Sequence, residues 1–165
     1  MLITLTGFMG SGKTSVGRLV ADALGCPFLD LDELIVKQAG KSIPEIFASQ
    51  GESAFRDMEA RVLAATVRKY ASGTAVLSLG GGTVTVPGAV KLLQEKTLCI
   101  YLQAPLETLQ SRIAAQPGTR PLADNALAAR LAAREPLYAA AAQVTIDTIG
   151  LTPEDVADEI IISCL

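Results

Sequence analysis

A phosphate-binding loop occupies residues Gly7 to Thr14, where the chain reads G-F-M-G-S-G-K-T. This segment matches the pattern G-x-x-x-x-G-K-[ST] at every fixed position. The glycines let the backbone curl so that successive N–H groups point at phosphate oxygens. Lys13 then brings a cation to the terminal phosphates of a nucleotide, and the hydroxyl of Thr14 can ligate Mg²⁺. The sequence therefore predicts a nucleotide phosphate site.

An acidic pair follows the second strand-like run, at Asp30-Leu31-Asp32. On an extended backbone the two carboxylates would point the same way, toward the crevice at the carboxyl end of a parallel strand. There Asp30 could hold Mg²⁺ through water, and Asp32 could orient or deprotonate a hydroxyl acceptor. The alternative is that one or both aspartates cap the next helix, a position that Asp favours.

Three consecutive glycines, Gly80 to Gly82, follow the third strand-like run. Such a run lets a ligand approach the backbone closely and offers free N–H donors, which a simple turn rarely requires.

Arg56 lies three residues before Glu59, so a helix would pair them, by default on the surface. Arg134 is by default a solvated helix charge as well, and the sequence alone does not bring the two arginines together.

The segment 115–124 has the composition of a loop, with two prolines, a glycine and Arg120. By default Arg120 is a solvated loop charge. The segment nevertheless interrupts a helical region, and a loop of this kind could close over a site. We therefore expect a lid at about 115–124.

The elements that must position these residues alternate along the chain. Strand-like runs are predicted at 2–6, 27–29, 75–79, 98–102 and 144–146. Helical patterns are predicted at 13–24, 33–39, 43–49, 52–70, 88–94, 105–114, 125–139 and 153–163. Alternation of this kind predicts an α/β fold with a parallel sheet, and the phosphate-binding loop falls between a strand and a helix, as its motif requires.

Composition narrows the class of protein. The 165 residues suit one domain, 1–165, and half of them are hydrophobic, as expected of a sheet covered on both faces. No apolar run has the length of a membrane span, the N-terminus does not resemble a signal peptide, and no basic tract suggests nucleic acid. The absence of histidine excludes histidine bases and histidine metal sites. Cys26, Cys99 and Cys164 are expected to be reduced core thiols of a cytoplasmic protein.

Taken in order, the motifs G-F-M-G-S-G-K-T, D-L-D, G-E-S-A-F-R-D-M-E, G-G-G, T-R-P-L and R-E-P-L-Y resemble the shikimate kinase family. The resemblance runs from the first strand to about Tyr138. It implies a three-layer P-loop NTPase fold like that of nucleoside monophosphate kinases, with a five-stranded parallel sheet of order 2-3-1-4-5, helices on both faces and a lid segment. It also implies ATP-dependent phosphorylation of the 3-hydroxyl of shikimate, on the route to chorismate and aromatic amino acids. We expect a monomer, although the sequence does not determine the oligomeric state.

The resemblance further implies roles for individual residues. The ATP phosphates would be wrapped by Gly10, Ser11, Gly12, Lys13, Thr14 and Ser15. Thr14 would bind Mg²⁺ directly and Asp30 would bind it through water, whereas Arg112 would stack on adenine. Asp32 would hydrogen-bond the substrate hydroxyls, either as a base or as an orienting group.

The substrate-binding region would lie at about 31–60 and continue elsewhere in the chain. Arg56 and Arg134 would hold the substrate carboxylate, and Gly80, Gly81 and Gly82 would line the substrate. Arg120 would be the lid arginine that reaches the phosphates. Lys13, Asp32 and Arg120 would thus carry the catalysis.

Two other classes of function stay open from the residues. One is another small-molecule P-loop kinase, for gluconate or a nucleotide, and the other is a non-catalytic nucleotide-binding regulator. The intact set of Lys13, Thr14, Asp30 and Asp32 argues against a chain that has lost catalysis. Residues Asp147 and Thr148, near the expected adenine side, receive no role.

Overall fold

A parallel β-sheet forms the centre of the molecule. A computed structural model describes residues 1–116 and 124–165, and the side chains of all of these except 124 and 125. The strands are Leu2–Thr6 (β1), Phe28–Asp30 (β2), Ala75–Ser78 (β3), Leu98–Gln103 (β4) and Val144–Asp147 (β5). They lie in the order β2-β3-β1-β4-β5, and every neighbouring pair is parallel. The predicted order 2-3-1-4-5 is confirmed, and the carboxyl ends of the strands share one edge.

Seven helices are described around this sheet. They are Lys13–Leu24 (α1), Leu31–Ala39 (α2), Ile43–Lys69 (α3), Ala89–Lys96 (α4), Leu106–Ala114 (α5), Asp124–Ala141 (α6) and Pro153–Cys164 (α7). A short 3₁₀ turn, Thr83–Thr85, follows the glycine run. None of the described helices combines the length and the apolar character that crossing a membrane requires.

The core lies on both faces of the sheet because successive residues of a strand point to opposite sides. In β1, Leu2 belongs to a buried cluster that contains apolar residues of α2, α3, α4 and α6. Its neighbour Ile3 belongs to the cluster on the other face, which contains apolar residues of α1 and α7. Two helical layers therefore enclose one sheet, and the predicted three-layer fold is confirmed.

The acidic pair lies at a junction that differs from the prediction. Helix α2 begins at Leu31, earlier than expected, because the carboxylate of Asp30 accepts a hydrogen bond from the Glu33 N–H at 3.2 Å and caps the helix. Asp30 therefore ends β2, whereas Asp32 lies in the first turn of α2. The expectation of an extended D-x-D segment was wrong.

The helices predicted at 43–49 and 52–70 are both present within α3, because Gly51, with φ 84° and ψ 172°, breaks the helical backbone between them. The expectation for the cysteines needs correction. All three cysteines are free thiols, but only Cys99 is buried, and Cys26 and Cys164 are partly exposed. The description as core thiols therefore fits Cys99 alone.

Candidate active site

A cleft of about 470 Å³ lies at the carboxyl edge of the sheet. The phosphate-binding loop, the β2–α2 junction, α3, the glycine run and α6 contribute to its wall. It brings together most of the residues that the sequence singled out: Gly10, Gly12, Lys13, Thr14, Ser15, Asp30, Asp32, Arg56, Gly80, Gly81, Gly82 and Arg134. The two arginines, which nothing local in the sequence makes neighbours, therefore face one cleft.

The phosphate-binding loop is held open by glycine geometry and ends at a helix. Gly10 and Gly12 have φ values of 83° and 93°, in the left-handed region that favours glycine. Gly12 caps α1, so the first N–H groups of α1 have no partner within the helix and favour an anion there. Ser11 differs from its neighbours, since its N–H donates to the Phe8 carbonyl at 3.1 Å and its side chain is buried.

Lys13 is buried beneath this loop. Its ammonium group donates to the carbonyl oxygens of Gly7 at 2.9 Å and of Phe8 at 3.0 Å. Burial lowers the pKa of Lys13 to about 8, although the nearby carboxylates of Asp32 and Asp30 oppose that shift. Lys13 therefore keeps its charge at neutral pH but lies close to losing it.

The carboxylate of Asp32 is partly buried in the cleft. Burial raises the pKa of Asp32 above its ordinary value, and repulsion from Asp30 and Glu59 adds to the effect. A carboxylate with a raised pKa binds a proton more readily than an exposed one. Asp30 caps α2 and also lines the cleft, so the cap does not remove its carboxylate from the site.

Arg56 is fixed by a buried carboxylate. Its Nη1 lies 2.6 Å from Oε1 of Glu59, and only 1% of Glu59 is exposed. The expectation of a surface ion pair was therefore wrong, because α3 turns this pair inward. Gly82 makes room for it, since a Cβ at that position would lie 2.5 Å from Nη2 of Arg56.

Tyr138 supports the other side of the glycine run. Its hydroxyl donates to the Gly81 carbonyl at 2.5 Å, and its side chain is fully buried. Burial raises the pKa of Tyr138 to about 12, so the hydroxyl stays a donor at neutral pH. Tyr138 lies one helical turn after Arg134 in R-E-P-L-Y, and that spacing was the available signal for a role that sequence reasoning missed.

Arg112 lies beside the phosphate-binding loop rather than in the cleft. Its Nη1 donates to the Thr148 hydroxyl and its Nη2 to the Thr148 carbonyl, both at 3.0 Å. A longer contact of 3.5 Å joins Nη1 to the Gly10 carbonyl. Thr148, which the sequence left without a role, thus holds the edge of the guanidinium, and no local pattern pointed to this contact.

Arg120 and most of the predicted lid, residues 117–123, lie outside the described residues. The lid therefore stays a prediction.

Within the described ranges, no group of three or more acidic, histidine or cysteine side chains could hold a metal ion by itself. That finding is compatible with Mg²⁺, which usually takes one or two protein oxygens and binds nucleotide phosphates as well. Thr14 and Asp30 line one cleft and suit such a site.

A phosphate-binding loop at the carboxyl edge of a parallel sheet, facing carboxylates and guanidinium groups in one cleft, is typical of a P-loop kinase. Comparison with known proteins agrees. The family model for shikimate kinase matches residues 9–165. The chain therefore belongs to the shikimate kinase family, a family of ATP-using kinases.

Individual relatives support this membership. Shikimate kinase of Enterococcus faecalis is 39% identical over 164 residues, which cover 96% of this chain and 95% of the relative. The solved shikimate kinase of Acinetobacter baumannii, in complex with shikimate, is 36% identical with a TM-score of 0.87, covering 97% of this chain and 90% of that one. A gluconokinase of Sinorhizobium meliloti is only 20% identical with a TM-score of 0.61, covering 95% of this chain and 87% of that one, a likeness that shows the fold alone.

Proposed function

We propose that this cleft transfers the γ-phosphoryl group of ATP to the 3-hydroxyl of shikimate, giving shikimate 3-phosphate and ADP. One observation carries the choice of substrate, which is that Arg56 and Arg134 face the same cleft as Asp32 and Lys13. Shikimate is a small ring with one carboxylate and several hydroxyls. Guanidinium groups match a carboxylate bidentately, and an aspartate accepts hydrogen bonds from hydroxyls.

The nucleotide side of the proposal uses the loop and its neighbours. When bound, ATP supplies the phosphoryl group and Mg²⁺ neutralises charge on its phosphates. The backbone from Gly10 to Ser15 would hold the phosphates, with Thr14 on the metal and Asp30 on it through water. Arg112 is held by its edge on Thr148, an arrangement that suits stacking of adenine on its flat face.

The acceptor side depends on Asp32 and the glycine run. The raised pKa of Asp32 suits a group that either orients the hydroxyl or takes its proton as the bond to phosphorus forms. Gly80 to Gly82 would line the substrate with backbone. Phosphoryl transfer depends mainly on positioning and on cations, so a chain without histidine is equipped for it.

We propose a cytoplasmic monomer that binds small molecules and neither nucleic acid nor membranes. The net charge of −3 and the lack of a basic tract argue against a nucleic-acid partner. Segment 115–124 would close over the bound ligands and bring Arg120 to the phosphates.

A coupled assay of ADP release with shikimate, gluconate and AMP tests the reaction. We expect turnover with shikimate far above that with the other two acceptors. Shikimate carrying a neutral amide in place of its carboxylate should be a poor substrate, because it cannot engage both arginines. Equal rates with the acid and the amide, or preference for another acceptor, would reject the substrate.

Lysine variants test the carboxylate clamp directly. Arg56→Lys and Arg134→Lys should each weaken shikimate binding by ~1.5–3 kcal/mol, the range for a hydrogen bond to a charged group, and leave ATP affinity nearly unchanged. Arg68→Lys on α3 and Arg130→Lys on α6 are matched controls, because both arginines are exposed and line no part of the described cleft. The clamp would be disproved by lysine variants that bind shikimate as the wild type does.

A further inference from the structure

The carboxylate of Glu59 is shared between two partners. Its Oε1 pairs with Nη1 of Arg56 at 2.6 Å, and its Oε2 accepts a hydrogen bond from the Thr83 hydroxyl at 2.8 Å. Glu59 is 1% exposed and Thr83 is fully buried. Both oxygens of a buried carboxylate are thus engaged, and one of them depends on a residue that lines no part of the described cleft.

A second carboxylate lies within reach of Arg56. Oε1 of Glu52 is 3.8 Å from Nε of Arg56, and the Glu52 side chain is 71% exposed. Glu52 and Glu59 contact Arg56 at the same time, Glu52 at Nε from the solvent side and Glu59 at Nη1 from the buried side. An exposed pair at 3.8 Å contributes little, so Glu59 is the partner that holds the guanidinium.

Thr83 also belongs to the turn that ends the glycine run. Its N–H donates to the Gly80 carbonyl at 3.2 Å. A Cβ on Gly80 would lie 3.2 Å from the Thr83 hydroxyl and 3.3 Å from Oε2 of Glu59, so these groups converge on the backbone of the run. One threonine thus connects the glycine run, through Glu59, to Arg56.

We propose that Thr83 is a positioning residue for the substrate carboxylate. Its hydroxyl holds Glu59 in the orientation that keeps the guanidinium of Arg56 against Gly82. This inference rests on the proposed function, because it assigns Arg56 to the carboxylate of shikimate. It adds a residue that touches neither substrate nor nucleotide and acts through Glu59.

Thr83→Val tests this proposal, because valine has nearly the shape of threonine but lacks the hydroxyl. Thr83→Val should raise KM for shikimate about 3- to 10-fold, the effect of losing one hydrogen bond, and leave KM for ATP within about twofold. The preference for shikimate over its amide should shrink by the same factor, which a general loss of stability would not cause. Thr66→Val is the matched control, since the buried hydroxyl of Thr66 donates to the Val62 carbonyl within α3.

Two further variants complete the experiment. Thr83→Ser keeps the hydroxyl and should restore the wild-type values. Glu52→Gln is a control and should have little effect alone or combined with Thr83→Val, because its exposed pair with Arg56 at 3.8 Å contributes little. If Thr83→Val fails to fold, Thr83→Ala is measured in the same way.

The inference is overturned if the valine variant keeps the wild-type KM for shikimate, if acid and amide are affected equally, or if serine does not rescue. Failure of the proposed function has a different signature, because the wild type would then not prefer shikimate at all.

Discussion

Replacing Gly82 with alanine tests whether the backbone of the glycine run shapes the carboxylate clamp. A Cβ at this position would lie 2.5 Å from Nη2, 2.8 Å from Nη1 and 2.9 Å from Cζ of Arg56, so the guanidinium has to move. The φ of Gly82 is −103°, which alanine adopts freely, and the effect should therefore fall on Arg56 and not on folding. A hydrogen bond to a charged group contributes ~1.5–3 kcal/mol, so shikimate affinity should fall about 10- to 150-fold.

The measurement is a titration of shikimate, followed by ADP release and by calorimetry, with KM for ATP as the internal reference. Gly73→Ala is the control, since its Cβ would make only ordinary contact, 3.7 Å from the Tyr70 ring. Adding Arg56→Lys to Gly82→Ala should cost little more, because both changes disturb one guanidinium. Unchanged shikimate affinity in Gly82→Ala would refute this reasoning.

The remaining predictions concern Lys13 and Asp32. Because the pKa of Lys13 is lowered to about 8, the free enzyme should lose this charge as pH rises through that value, and kcat/KM for ATP should fall on the alkaline side. A rate profile that stays flat well above that pH would contradict the assignment. Asp32→Asn should lower kcat sharply with little change in ATP affinity, and it should abolish the acidic decline that protonation of Asp32, with its raised pKa, causes in the wild type. If the variant instead loses binding of Mg²⁺ and ATP, Asp30 and Asp32 have exchanged roles.

Sequence reasoning succeeded where the determinants are local or ordered along the chain. The phosphate-binding loop and helix α1 follow from a motif and from apolar spacing. The sheet order needed more than periodicity, because it came from the resemblance of the ordered motifs to a family. The parallel pairing was predicted from the alternation of strands and helices, and the two covered faces from the apolar composition; the structure has both.

The errors share a physical cause, which is that burial is a property of the fold. Arg56 and Glu59 have the spacing of a common surface pair, and only the packing of α3 against the 3₁₀ turn shows that Glu59 is buried. Aspartate is typical both of helix caps and of ligand-binding sites. The sequence at Asp30 and Asp32 therefore could not show whether this segment is extended or already the start of helix α2. Thr148 accepts from Arg112 through its own hydroxyl and carbonyl oxygens, a contact between distant segments that leaves no pattern in the sequence. For Tyr138, which donates to the Gly81 carbonyl, the spacing from Arg134 was the one available signal.

The charges that line the cleft indicate that further cations take part in the reaction. Three cations line it in the part of the chain that the structure describes, Lys13, Arg56 and Arg134, and three carboxylates face them, Asp30, Asp32 and Glu59. Such a cleft is close to neutral, whereas ATP and a carboxylate substrate bring several negative charges. Stabilising that charge in a site closed to water needs further cations. Mg²⁺ is one source, and Arg120, on the predicted lid, would be another that arrives only when the segment closes. We therefore predict that turnover depends on metal and lid together, since the resident cations alone do not offset the charge of both ligands.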